Sequence, residues 1–166
     1  MTDIATLHAA LASLLASDAY FVDDIEAIGL GSSGHAVVPG LLKAFRDPRQ
    51  IHTSKLPLFV MDTGDGDAQA ILNDGGTFGV MGYTQQDMAA EILIGLIWHQ
   101  PDHDTAYAQR LKLEPAFIDL MLRHPDVGGA AQAWVSKIQF DRGALHPTQT
   151  AVVTIRVEYA QQRVVR

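Results

Sequence analysis

No cysteine occurs anywhere in the chain, and this absence removes disulfides, thiolate nucleophiles and cysteine-ligated metal centres together. Positive charge is also scarce. Twelve Lys and Arg stand against nineteen Asp and Glu, a formal net charge of −7, so phosphate neutralisation cannot drive general binding to nucleic acid or to an anionic membrane surface. Long apolar runs are lacking as well: the strongest, residues 92–98, is far short of the roughly 20 residues a membrane helix requires. The amino terminus carries Asp3 and no Lys or Arg ahead of its apolar residues, whereas a secretory signal begins with positive charge. A soluble chain not exported by that route is expected.

What is present is enough apolar material for a core. Hydrophobic residues make up 48% and charged residues 19% of 166 residues, a composition outside the disordered class and of a size that forms one domain, residues 1–166. Ile4, Leu7, Leu11, Leu14 and Leu15 recur at helical spacing behind a capping Thr2, which predicts a helix over 3–16. Residues 17–36 mix Asp23, Asp24 and Glu26 with Phe21, Val22, Ile25 and Ile28 and read as an irregular connection. The apolar run 56–62 reads as a buried strand. It leads into a long loop, 62–86, rich in Gly and Asp, with a hairpin expected around Asp74, Gly75 and Gly76.

Residues 88–99 are apolar on both faces and read as a central strand. Asp102 or Asp104 then caps a helix running to about His124, with Tyr107, Leu111, Phe117, Ile118, Met121 and Leu122 on its inner side and Pro115 kinking or dividing it. Two strands close the chain. In the first, Trp134, Ile138 and Phe140 form a buried face; in the second, Ala151, Val153, Ile155, Val157 and Tyr159 alternate with polar residues. The expected fold is therefore α+β: a mostly antiparallel sheet of about four strands with two main helices on one face.

Four patterns bear on chemistry. Residues 59–64, ending Asp62-Thr63-Gly64, have the shape of an aspartic-protease strand, in which two carboxylates share a proton. Asp65 follows where those enzymes have a small residue, and the imitation of the second motif at 92–95 lies too close in sequence. Gly29, Gly31 and Gly34 match the dinucleotide spacing, but residues 23–28 make a poor strand, and Pro39 and Gly40 would interrupt the phosphate-binding helix. His99, Asp102, His103 and Asp104 are possible metal ligands, yet Pro101 keeps the imidazoles from lying one helical turn apart. Asp62, Asp65 and Asp67 hint at calcium, but glycines at 64 and 66 occupy ligand positions of a calcium loop. Ser32 and Ser33 lack the glycine spacing of a nucleophile elbow. Trp98 and Trp134 are expected in the core. The sequence thus predicts no catalytic residue, cofactor or metal. The alternative is a small enzyme or nucleotide-binding protein using the loop from Gly29 to Gly34 or the Asp62 region.

The order of elements carries more information. An amino-terminal amphipathic helix, the strand LPLFV, a Gly/Asp loop, the strand AEILIGLIW, an acid-capped helix and the closing pair AWVSKIQFD and TAVVTIRVEYAQ resemble the tail terminator and tail-completion proteins of long-tailed bacteriophages, over residues 3–161. The resemblance implies a non-enzymatic virion protein. It would form a homo-oligomeric ring, usually a hexamer, assembled in the bacterial host cytoplasm. That ring would cap the tail tube, stop its polymerisation and join the tail to the head connector, with DNA only passing through the lumen. A ring closes through heterologous contacts, for which strand edges and long loops are suited. Asp65, Asp67, Phe78, Met81 and Tyr83 in the loop are the expected contacts to a neighbour or to the tube.

Overall fold

A computed structural model describes residues 3–30, 39–40, 56–63, 69–70, 79–80, 83–141 and 145–164. Its first helix, α1, spans Ile4–Ser17. The cap is Asp3 and not Thr2: the Asp3 carboxylate accepts the Thr6 N–H at 2.7 Å. Leu7, Leu11 and Leu15 form its buried stripe.

The expected irregular connection after residue 17 is instead a second helix, α2, Ala19–Ala27. Asp18 ends α1 and caps α2, accepting the Phe21 N–H at 2.8 Å. Phe21 and Ile25, one turn apart, are buried, while Asp23, Asp24 and Glu26 face solvent. Two buried positions are too few to register as a periodicity, and a nine-residue helix is stable only through such packing. The helix closes in a Schellman motif, with Leu30 N–H donating to Ile25 C=O at 3.0 Å and Gly29 N–H to Glu26 C=O at 2.9 Å. Gly29 supplies the left-handed backbone this needs, φ +82°.

Among the described residues seven strands make one sheet: β1 Pro39–Gly40, β2 Leu58–Thr63, β3 Gln69–Ala70, β4 Gly79–Val80, β5 Tyr83–His99, β6 Gln132–Phe140 and β7 Thr148–Val164. Helix α3, His103–Arg123, and a single 3-10 turn, Val127–Gly129, lie between β5 and β6. The order across the sheet is β1-β2-β5-β7-β6, with β3 and β4 also pairing with β5. The long strands β2, β5, β7 and β6 pair antiparallel; β1 joins β2 in parallel. An α+β fold with a four-strand antiparallel sheet is what the patterning predicted, with three α-helices among the described residues where two main ones were expected.

One sheet face builds the core. Ile92, Ile94 and Leu96 of β5 stand opposite Ile155, Val153 and Ala151 of β7, and all six are buried. Phe59 and Met61 of β2 join them, and the helices close over this face with Leu11, Phe21, Phe117 and Leu120. Phe21, Phe59 and Phe117 meet edge-on or tilted, with ring centroids 5.0–6.2 Å apart. Buried Gln109 ties the layers together, accepting from the Trp98 indole N–H at 3.0 Å and donating to the Ile28 carbonyl at 3.1 Å.

Three further expectations change. The loop over 62–86 is partly sheet: β2 continues to Thr63, and Gln69–Ala70 and Gly79–Val80 pair with β5, which starts at Tyr83. The expected hairpin around Asp74, Gly75 and Gly76 lies outside the described residues. Pro115 does not divide α3, which is one continuous helix; Pro115 is exposed, so the carbonyl it leaves unpaired can meet water. In β6, a bulge between Val135 and Lys137 shifts the register and inverts the alternation. Ala133 and Val135, then Ile138 and Phe140, pack on the core. Trp134 therefore lies on the opposite face, half-buried, and is not a core residue.

Candidate functional site

Among the described residues the candidate chemical motifs do not come together. Asp62 and Thr63 lie within β2 and pair with Leu93 and Ile92, while Val60 pairs with Gly95. The two protease-like stretches are neighbouring rungs of one ladder, whereas that chemistry needs two turns facing across a cleft. Gly29 follows a helix and caps it, so the strand that must precede a dinucleotide loop is replaced by α2. Ser32, Ser33 and the remaining glycines of that loop, Gly31 and Gly34, lie outside the described residues.

Asp102 is occupied as the α3 cap, accepting the Thr105 N–H at 2.8 Å; hydrogen bonding from the Thr105 side chain, and then from its N–H, holds the carboxyl below the usual range. His103 stacks on His146 with ring centroids 4.1 Å apart, and His146 lies 3.2 Å from the Pro101 carbonyl. Among the described residues no three His, Asp or Glu side chains converge on a metal position. Of the predicted contact residues, Tyr83 is the first residue of β5, its backbone paired with Val80 and Val164. Asp65, Asp67, Phe78 and Met81 lie outside the described residues.

The most distinctive surface among the described residues lies on α3, whose inner face differs from the expected one. The inner side of α3 is Ala106, Gln109, Leu113, Ala116, Phe117, Leu120 and Met121. Four of the apolar residues expected there face outward: Tyr107 is 62% exposed, Leu111 59%, Ile118 37% and Leu122 72%. Their spacing keeps them on one stripe beside the buried face. Toward its C-terminal end the stripe borders a groove of about 410 Å³, lined by Ile118, Met121, Leu122 and Pro125 and by residues 132–135 of β6. The signal was available: α3 holds more apolar residues than one helical face can bury.

Strand β6 is the end of the sheet, and its outer edge pairs with no strand among the described residues. The bulge bends its second half, where the Ser136 hydroxyl donates to the Thr154 carbonyl at 3.1 Å and Lys137 is exposed. Bulges and lysines are features that discourage pairing at an edge. The first half, 132–135, is regular, paired in register with 155–158 of β7, and borders the groove. On the sheet's other face the Arg156 guanidinium lies over the Trp134 ring, 5.9 Å from its centroid.

A polar cluster fixes the end of α3 next to this surface. Asp18 receives Arg123 at 2.7 Å and contacts His124 Nε2 at 2.8 Å. Burial pushes the Asp18 carboxyl up, but the hydrogen bonds from His124, Arg123 and the Phe21 N–H outweigh it and lower the pKa to about 2. Arg123 also sits 5.2 Å from the centroid of the exposed Tyr20 ring. At the opposite end of α3, Arg110 donates to the fully buried Gln149.

No protein-family model matches the chain, and no curated protein does. Among solved structures it is similar to a chain from the "Virion of native gene transfer agent (GTA) particle", with 16% identity and a TM-score of 0.50, covering 93% of this chain and 94% of that one. At this identity the likeness is one of fold, and it extends over nearly the full length of both chains.

Proposed function

We propose that this chain is a structural virion protein of the tail terminator type: a ring that caps the tail tube, ends its polymerisation and joins the tail to the head connector. The observation that carries this reading is the full-length fold likeness to a chain of a virion particle, on a sequence whose order of elements resembles that family. The surface is consistent with assembly. An outward apolar stripe on α3 and an open strand edge at β6 suit contacts between copies, and the ring needs no turnover chemistry.

In this reading the segment holding Asp65, Asp67, Phe78, Met81 and Tyr83 meets the tube or a neighbouring subunit. DNA crosses the lumen without being held, since a chain of charge −7 attracts phosphate poorly. The test is to polymerise tube protein with and without this chain. Tubes of limited length ending in a ring of about six copies are expected. Tubes that grow unchecked, with the chain remaining monomeric, would overturn the reading.

A further inference from the structure

We infer that the α3–β6 groove is the half of a ring contact that receives a second copy of this chain, a step that rests on the ring proposed above. The groove brings together two features that one copy leaves unfinished: the stripe Leu111, Ile118 and Leu122 on α3, and the regular edge at 132–135 of β6. Tyr107 extends the stripe toward the helix start.

The area fits a protein partner. These four large side chains are about half exposed on average, so the stripe offers an apolar patch on the order of a few hundred Å². A stable interface takes about 800 Å² from each partner. The stripe alone falls short, so the contact must draw on the groove and the strand edge as well.

A ring needs this contact to be head-to-tail. The groove lies at the β6 end of the order β1-β2-β5-β7-β6, and the β1–β2 pair lies at the other end. A groove that met its own equivalent would stop at a two-fold dimer. A groove that meets the opposite sheet end of the next copy repeats around a ring. The bulge and Lys137 limit backbone pairing to the first half of β6, so side-chain burial in the groove, and not an extended ladder, sets the strength of the contact.

The test uses the whole chain, with mass and thermal melting measured for wild type, Leu122→Asp and Leu111→Asp. Both positions are more than half exposed, so both variants should melt as wild type does. Each should raise the concentration at half-assembly by at least about tenfold. Variants that assemble like wild type would overturn the groove contact and leave the ring reading standing. Wild type that stays monomeric even with tube protein would overturn the ring itself. Because the chain has no cysteine, Leu122→Cys reports the geometry. Absence of a self-linked species in the assembled ring supports head-to-tail contact, and a covalent Leu122→Cys dimer would overturn it.

Discussion

A single carboxylate organises the junction of α1, α2 and α3. Asp18 caps α2, pairs with Arg123 and contacts His124, and its side chain is only 8% exposed. Because its folded pKa, about 2, lies below the ordinary 3.8, its contribution is complete above the ordinary value. It is lost as the pH falls from 3.8 toward 2. That contribution is on the order of 1–2 kcal/mol, and the cap adds about 1 kcal/mol. Asp18→Ala should therefore cost about 2–3 kcal/mol in urea unfolding at neutral pH. Asp18→Asn, which keeps the cap, should cost less and flatten the acid limb of the stability curve. Gly128 offers a second test. Its φ is +63°, and a Cβ there would lie 3.0 Å from Ala10 Cβ and 3.2 Å from Leu7 Cα on α1. Gly128→Ala should cost about 2 kcal/mol or more, against about 1 kcal/mol for Gly29→Ala, whose nearest contact is 3.6 Å away.

Among the elements, α3 is held by a polar residue in an apolar place. Gln109 is 7% exposed and bridges the Trp98 indole to the Ile28 carbonyl, which fixes the helix against both β5 and α2. Gln109→Leu leaves both partners unsatisfied and should cost about 2–4 kcal/mol, read as a lowered denaturation midpoint with the fold retained by circular dichroism. The same residue accounts for the difference between the expected and the observed inner face of α3. Leu111, Ile118 and Leu122 look like the core face until Gln109 is seen to be inside. The β6 bulge acts similarly, since one inserted residue sends Trp134 to the other face of the sheet from Ile138.

At the level of the whole molecule, the sheet is anchored by β5 and β7, which pair along all 17 residues of each strand. Among the described residues, β3 and β4 add four paired residues to that ladder. Deleting residues 65–82 should therefore leave cooperative melting intact, with a loss of about 1–3 kcal/mol, while tubes grown with the variant lose their length control. Loss of cooperative unfolding would show that this segment belongs to the core.

Sequence alone determined those parts whose burial repeats along a single element. The alternation of Ala151, Val153, Ile155, Val157 and Tyr159, the two-sided apolar run of β5 and the α1 stripe each predicted its element and its buried face, and together they gave the α+β class. Only the tertiary structure decided what depends on a second element. It made residues 19–27 helical through packing of Phe21 on Phe59 and Phe117. It chose which of two apolar stripes on α3 turns inward, and it paired Asp62 and Thr63 with Leu93 and Ile92 in a ladder instead of opposing them across a cleft. Local patterning records what a side chain prefers, whereas the neighbour that satisfies the preference is set by contacts between residues far apart in the chain.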